Sequence, residues 1–296
     1  MVKPNPFLPG AGPLAPDAIP ASIKWTARTQ SGSRKPVNED SWLAFASDIK
    51  GASLLEADGS HSLKAHDLIF AVSDGMGGGN AGDIASRLLL EELSIIIPAT
   101  FKTAASGLHP DYITHLEKAI DAVHEAINMQ AAANHNHKGM AATLALAWFT
   151  PENLYFANVG DSRIYLHRNH DHDNDGETQM LTLDHTFAWR KMQRGEISER
   201  EFRNHPRRSA IYEVIGGGHQ NVTPHVAAVP YQAGDQFLIC SDGVTDGLWE
   251  KHIHAAFSKN TDSTSELADS LMFRAIENDG SDDTTLITLS IQKNAE

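Results

Sequence analysis

The sequence predicts an α+β fold built from antiparallel sheets. Two observations point to it. Strand-like segments at 143–149, 154–159 and 163–167 follow one another with only hairpin-length turns between them. Helical patterns come as a pair and do not alternate one for one with strands, as the crossovers of a parallel sheet would require.

A first strand is expected at 25–30, closed by the turn Ser31-Gly32-Ser33, and a second at 41–46. Residues 49–66 are polar and irregular and are expected as an insertion or long hairpin tip. Residues 67–72 form a compact apolar strand. Over 81–97, Ile84, Leu88 and Leu89 recur in helical rhythm, and over 112–133 Ile113, Leu116, Ile120, Val123 and Ile127 do the same. After the three consecutive strands, a charged helical stretch at 187–205 reads as a surface appendage. Late strands at 236–240 and 285–291, with a helix over 265–278 between them, complete the chain. Residues 1–21 carry Pro4, Pro6, Pro9, Pro13, Pro16 and Pro20 without an apolar run, and are expected as a flexible, partly extended tail that is not a secretory signal.

Hydrophobic residues make up 41% of the 296, enough for a sizeable core. The net charge of -14 argues against nucleic-acid binding and against an anionic membrane surface, since both rely on Lys and Arg. No apolar run is long enough to span a bilayer. Cys240 is the single cysteine, so no disulfide can form within the chain. A reducing, cytoplasmic setting is therefore expected. In Phe237-Leu238-Ile239-Cys240 the thiol reads as core packing, not as a nucleophile.

Acidic residues stand where strands stop. Asp74 follows the strand at 67–72 and precedes Gly75-Met76-Gly77-Gly78-Gly79. Asp161 and Asp242 each follow a strand, while Asp282-Asp283 and Asn38-Glu39-Asp40 each precede one. Taken singly, each reads equally well as a turn or cap residue. Together they can converge on one sheet edge, where carboxylates repel unless a cation lies among them. Oxygen donors of this kind suit Mg²⁺ or Mn²⁺. The glycine run resembles a phosphate cradle but lacks the Lys-Ser/Thr ending of a P-loop.

Five segments in order carry a resemblance: Asn38-Glu39-Asp40-Ser41, Val72-Ser73-Asp74-Gly75-Met76-Gly77-Gly78, Val159-Gly160-Asp161-Ser162-Arg163-Ile164-Tyr165, Cys240-Ser241-Asp242-Gly243 and Gly280-Ser281-Asp282-Asp283-Thr284-Thr285. With them the sequence resembles the metal-dependent protein serine/threonine phosphatases of the type 2C (PPM) family, in their bacterial form, over about residues 22–292. The resemblance implies a central β-sandwich of two antiparallel sheets flanked by helix pairs, with a flap at about 184–209 beside a metal site. It implies Mn²⁺ or Mg²⁺, two ions bridged by Asp74, one of them also bound by the Gly75 carbonyl and the other by Asp242 and Asp282. Asp161 with Asp242 corresponds to a third, weaker site. Glu39 and Asp40 are implied to orient metal-bound water, Glu39 with the option of ligating directly.

The implied reaction is hydrolysis of phosphoserine and phosphothreonine by a hydroxide bridging the two metals, with no covalent enzyme intermediate. Phosphoproteins as substrates, an opposing Ser/Thr kinase and a monomer in the cytoplasm are expected with it. The alternative is a pseudophosphatase, the same fold serving as a regulatory binding module; a hydrolase of small phosphate esters would share the centre.

Two departures from the family pattern stand out, at Lys35 and in the segment 139–143. Where relatives anchor phosphate with Arg, three residues before Asn38, this chain has Lys35, with Arg34 just before it. Either can take the role, Lys35 as a point charge and Arg34 through a local bulge. Met76, usual at this place in the bacterial branch, stands where animal relatives carry His, leaving the proton donor to the leaving group unassigned. Gly139-Met140-Ala141-Ala142-Thr143 replaces the usual Gly-Met-Gly-Thr-Thr and reads as packing beneath the site. The His- and Asp-rich run 167–173 is expected as a solvated hairpin tip, and His135 and His137 as part of a helix C-terminal cap region.

Overall fold

A computed structural model of the chain describes residues 20–48, 50–64, 66–77, 81–105, 111–170, 173–259 and 263–293. The N-terminal strands are β1 (Pro20–Gln30), β2 (Asp40–Asp48), β3 (Gly51–Leu54), β4 (Asp58–Ser62) and β5 (Asp67–Met76). Helices α1 (Ala81–Ala105) and α2 (Tyr112–Ala133) follow. Next come β6 (Ala141–Ala142), β7 (Leu144–Phe149), β8 (Asn153–Val159), β9 (Arg163–His170) and β10 (Asp173–Met180). Short helices α3 (Phe187–Gln193) and α4 (Glu199–Arg203) lead to β11 (Ile215–Gly216), β12 (His225–Pro230) and β13 (Gln236–Cys240). Helices α5 (Asp242–Gly247), α6 (Glu250–Lys259) and α7 (Thr264–Asp279) precede β14 (Thr284–Lys293).

These strands form two antiparallel sheets. One runs β10-β9-β13-β14-β1-β4; the other runs β11-β6-β5-β7-β8-β12, with β2 on the free edge of β5 and β3 beyond it. Strand β5 shows why its sequence reads as a continuous apolar run. Leu68, Phe70 and Val72 point inward and meet Trp25, Phe149, Phe237 and Ile287 between the sheets. Ile69 and Ala71 point outward against Leu89 and Leu93 of α1 and Ile120 and Val123 of α2. A strand covered on both faces keeps no polar alternation. On the other outer face, Leu238, Cys240 and Leu286 pack against Ile253 and Phe257 of α6 and Leu267 and Leu271 of α7. The expected sandwich between helix pairs is therefore observed, and the Cys240 thiol is core, its pKa pushed up to about 12 by burial.

Four expectations are corrected. Residues 49–66 are not irregular: β3 extends one sheet through β2, and β4 pairs with β1 to extend the other. The run 167–173 is not a tip throughout: residues 167–170 belong to β9, where His167 is fully buried, stacks on Phe257 at 5.0 Å and shares a 2.8 Å hydrogen bond with Thr178 Oγ1. Asp171 and His172 lie outside the described residues. The stretch 187–205 is two helices separated by Gly195, whose φ of +70° favours glycine. It buries Trp189 and Phe202 against each other and is more than a surface appendage. The tail ends sooner than expected, since Pro20 already pairs with Lys293; residues 1–19 lie outside the described ones. His135 and His137 sit in a 3-10 turn directly after α2, as the cap reading anticipates. No described helix is long and apolar enough to cross a membrane.

One buried acid opens β5, at the opposite end of that strand from Asp74. Asp67 is 3% exposed and accepts a 2.9 Å hydrogen bond from Trp148 Nε1. Burial raises its pKa from 3.8 to about 6, the Trp148 bond opposing. The native state thus holds this proton more tightly than the unfolded chain, and the stability it contributes is lost as pH rises from 3.8 through about 6. Asp67→Asn keeps an acceptor for Trp148 and removes the buried charge. At pH 7.5 it is expected to stabilise the protein by about 2 kcal/mol, and at pH 4 by almost nothing, as read from urea unfolding.

Candidate active site

Strand register brings the acids together. Antiparallel pairing sets Asp40, the first residue of β2, directly opposite Asp74 near the end of β5. Strand β13 ends at Cys240, and Asp242 opens α5. Asp161 follows β8 in a turn through Gly160, whose φ is +93° and whose missing Cβ would strike Thr143 at 2.6 Å. Asp282 and Asp283 occupy the turn between α7 and β14. Sequence-distant carboxylates thereby meet at one end of the sandwich.

Their electrostatics record the meeting. Burial raises Asp74 well above the carboxylate range, and the charges of Asp40, Asp161 and Asp282 push it further. Burial does the same to Asp242, helped by Asp161, Asp74, Asp246 and Asp282. Asp40 is held at about 7 by burial, despite a 2.7 Å hydrogen bond from Ser241 Oγ. Asp161 also reaches about 7, through burial and then the charge of Asp184, with Arg163 opposing.

Two buried acceptors, Asp40 Oδ1 and Asp161 Oδ1, have no hydrogen-bond partner. Buried, mutually repelling carboxylates with unmatched oxygens fit hard divalent cations. Among the described residues no three His, Cys, Asp or Glu side chains are already gathered around one point. The fit thus rests on donor chemistry and charge.

Lys35 brings a positive charge against two of the carboxylates. Its Nζ lies 2.9 Å from Glu39 Oε2 and 3.2 Å from Asp282 Oδ1. The Arg34 backbone N–H donates to the Ser281 carbonyl, and its charge helps lower Asp279. Of the two candidates for phosphate anchoring, Lys35 is the one that forms ion pairs with Glu39 and Asp282. Glu39 is partly buried beside them, and its backbone carbonyl accepts from Gly75 N at 3.1 Å.

Several positioning residues escaped the sequence reading. Asp283 accepts from Gly32 N at 2.8 Å and from Glu39 N at 2.7 Å, so it clips both ends of the 32–39 loop to the start of β14. Thr143 Oγ1 accepts from Asp74 N at 2.9 Å and is hydrogen-bonded to Ser162 Oγ, so the substituted 139–143 segment does support the site from below. Gly82 lets α1 approach, since a Cβ there would lie 2.3 Å from Glu39 Oε1 and 2.7 Å from the Gly75 carbonyl. Paired polar–polar and glycine–glycine contacts of this kind leave no periodic trace; only the Gly82 position just inside a helix start hinted at one. Gly78 and Gly79 lie outside the described residues.

The α3–α4 segment closes one side. Asp184, at its root, takes three hydrogen bonds from Arg163 at 2.6 to 3.1 Å, and Trp189 lies over the same guanidinium at 5.0 Å. Arg203 donates to the carbonyls of Thr245, Asp246 and Leu248, and Arg208 pairs with Asp246 at 2.6 Å. Both arginines tie the segment to α5, the helix that Asp242 opens.

A sandwich with buried aspartates crowded at one end is the architecture of a metal-dependent phosphohydrolase. The chain matches the protein phosphatase 2C family over residues 53–272 and belongs to it, as a metal-dependent phosphoprotein phosphatase. Among its relatives, the serine/threonine phosphatase stp of Listeria monocytogenes is 34% identical over 225 residues, spanning 76% of this chain and 84% of that protein. The crystal structure of the Mycobacterium tuberculosis serine/threonine phosphatase PstP/Ppp superposes with a TM-score of 0.72 at 30% identity, covering 92% of this chain and 99% of that one. The catalytic domain of PstP in complex with two manganese ions superposes with a TM-score of 0.71 at 28% identity, over 92% of this chain and 99% of that one.

Proposed function

We propose that the protein hydrolyses phosphoserine and phosphothreonine in proteins at a two-metal Mn²⁺ or Mg²⁺ centre. The observation that supports it most is that burial, and after it the charges of the acids around them, raise Asp74 and Asp242, which a divalent ion would relieve. Asp74, the Gly75 carbonyl, Asp242 and Asp282 would hold two ions, and Asp161 with Asp242 a third, weaker one. Bound there, such ions supply activation of water and neutralisation of the phosphoryl oxygens.

The chain's own groups do the rest. Glu39 and Asp40 orient water through their carboxylates, Asp40 fixed by Ser241. Lys35 offers its ammonium to a phosphate oxygen. The α3–α4 segment is the flap, screening the site from bulk water. The catalytic unit spans 22–292 and acts as a monomer in the cytoplasm, opposite a Ser/Thr kinase. The two phosphatase relatives named above, and the manganese complex of one of them, support the phosphatase and metal parts of this reading.

The test is hydrolysis of a phosphothreonine peptide and of p-nitrophenyl phosphate with Mn²⁺, with Mg²⁺ and with EDTA. Turnover with a metal, lost in EDTA and restored by excess Mn²⁺, is expected. Folded protein that turns over neither substrate in any metal would leave a binding module.

A further inference from the structure

We propose that Lys35 is a tethered cation that competes with divalent metal for the Glu39 and Asp282 carboxylates, and so sets the metal concentration at which the site fills. This rests on the metal-centre reading above and adds a control element to it.

Three observations carry the proposal. The Lys35 ammonium contacts one carboxylate contributed by its own loop and one contributed by the turn before β14. The loop bearing it is pinned at Gly32 and Glu39 by Asp283, and Lys35 N is bonded to the Gly32 carbonyl at 3.2 Å, so the side chain cannot drift away. Its side chain is 29% exposed, enough to swing without unfolding anything.

A carboxylate oxygen paired to an ammonium cannot give its full charge to a metal. Confinement on a short loop gives the competitor an effective concentration of roughly millimolar or more. Lysine suits this role better than arginine would. A compact ammonium on a flexible stem can leave one pair of oxygens for another, whereas a guanidinium fork is fixed by its planar geometry. When a metal takes Asp282, the released ammonium becomes available to the phosphate, so filling the site and readying the anchor are one event.

The test uses the full chain stripped with EDTA and titrated with Mn²⁺ alone by calorimetry. Thermal unfolding is followed in parallel, without metal and with saturating Mn²⁺. Lys35→Met is expected to bind Mn²⁺ about tenfold more tightly than the parent, the scale on which outer-shell partners alter metal affinity. Its melting temperature without metal should fall, because the carboxylates lose their counter-charge, and its gain on Mn²⁺ addition should exceed the parent's. Lys35→Arg, which keeps the charge, should bind Mn²⁺ no more tightly than the parent.

Equal or weaker Mn²⁺ binding by Lys35→Met overturns the proposal, and tighter binding by Lys35→Arg does so too. If Mn²⁺ binds both proteins alike while the parent turns over p-nitrophenyl phosphate, only the competition fails. If the parent binds no Mn²⁺ at all, the metal-centre reading falls with it. Should Lys35→Met not fold in EDTA, Lys35→Gln read in the same titration decides between these outcomes.

Discussion

Asp74→Asn is expected to lower turnover in Mn²⁺ by about a thousandfold or more, equivalent to about 4 kcal/mol of transition-state stabilisation, while making the EDTA-treated protein melt at a higher temperature. The two effects share one cause. Burial and the charges of Asp40, Asp161 and Asp282 all disfavour the Asp74 carboxylate. A neutral amide of the same shape relieves that repulsion and keeps the backbone bonds of residue 74 to Thr143. The same amide is a poor partner for two cations. Saturating Mn²⁺ should therefore raise the melting temperature of the parent more than that of the variant, since a ligand stabilises only what it binds. Melting curves and p-nitrophenyl phosphate turnover, each with and without Mn²⁺, check both arms. A variant that retains parental turnover would remove Asp74 from the reaction.

Arg163→Met is expected to cost about 3–5 kcal/mol of stability, the range for breaking a buried ion pair from one side. Arg163 and Asp184 are 8% and 2% exposed, and the guanidinium also donates to Tyr165 Oη and lies under Trp189. Methionine fills part of the space but strands a buried carboxylate. Adding Asp184→Asn should recover most of the loss, because the remaining amide carries no charge. Urea unfolding of the two single variants and the double variant gives the coupling. Trp189 fluorescence should report loosening of the α3–α4 segment in Arg163→Met alone. A single-variant loss below about 1 kcal/mol would mean that water reaches this pair.

Much of the frame was legible because its signals are local. The two long helices declare themselves by apolar residues at helical spacing: Ile84, Leu88 and Leu89 in α1, of which Leu89 is buried and the other two half-buried, and Leu116, Ile120 and Val123 in α2, all buried. The strands β5, β7 and β13 declare themselves by unbroken apolar runs. What escaped depends on partners. Strand β10, Asp173–Met180, has an almost wholly polar sequence and exists because β9 offers it an edge. Strand β4, Asp58–Ser62, is likewise polar and held by β1. Helix α6 shows only Ile253, Ala256 and Phe257 on its buried face, too short a period to stand out beside its histidines and lysines.

The acids were legible in a similar way. An aspartate after an apolar strand is visible in the chain, and that identified Asp74, Asp161 and Asp242. The different work of neighbouring Asp282 and Asp283, one facing Lys35 and the other clipping a loop, depends on contacts to residues near 35 and has no signature of its own.

The position of β14 has a consequence for the order in which the protein can be assembled. This strand lies between β13 and β1 in the middle of its sheet, although it is the last strand of the described chain. Strand β1 meets β4 soon after it is made, but its other antiparallel neighbour, β14, lies at the far end of the described chain, and contacts of such long sequence separation are slow to form. The turn carrying Asp282 and Asp283 arrives at the same late moment, so neither the 32–39 loop nor the acid cluster can be completed earlier. Until β14 is made, the edge of β1 that it covers stays open to other chains.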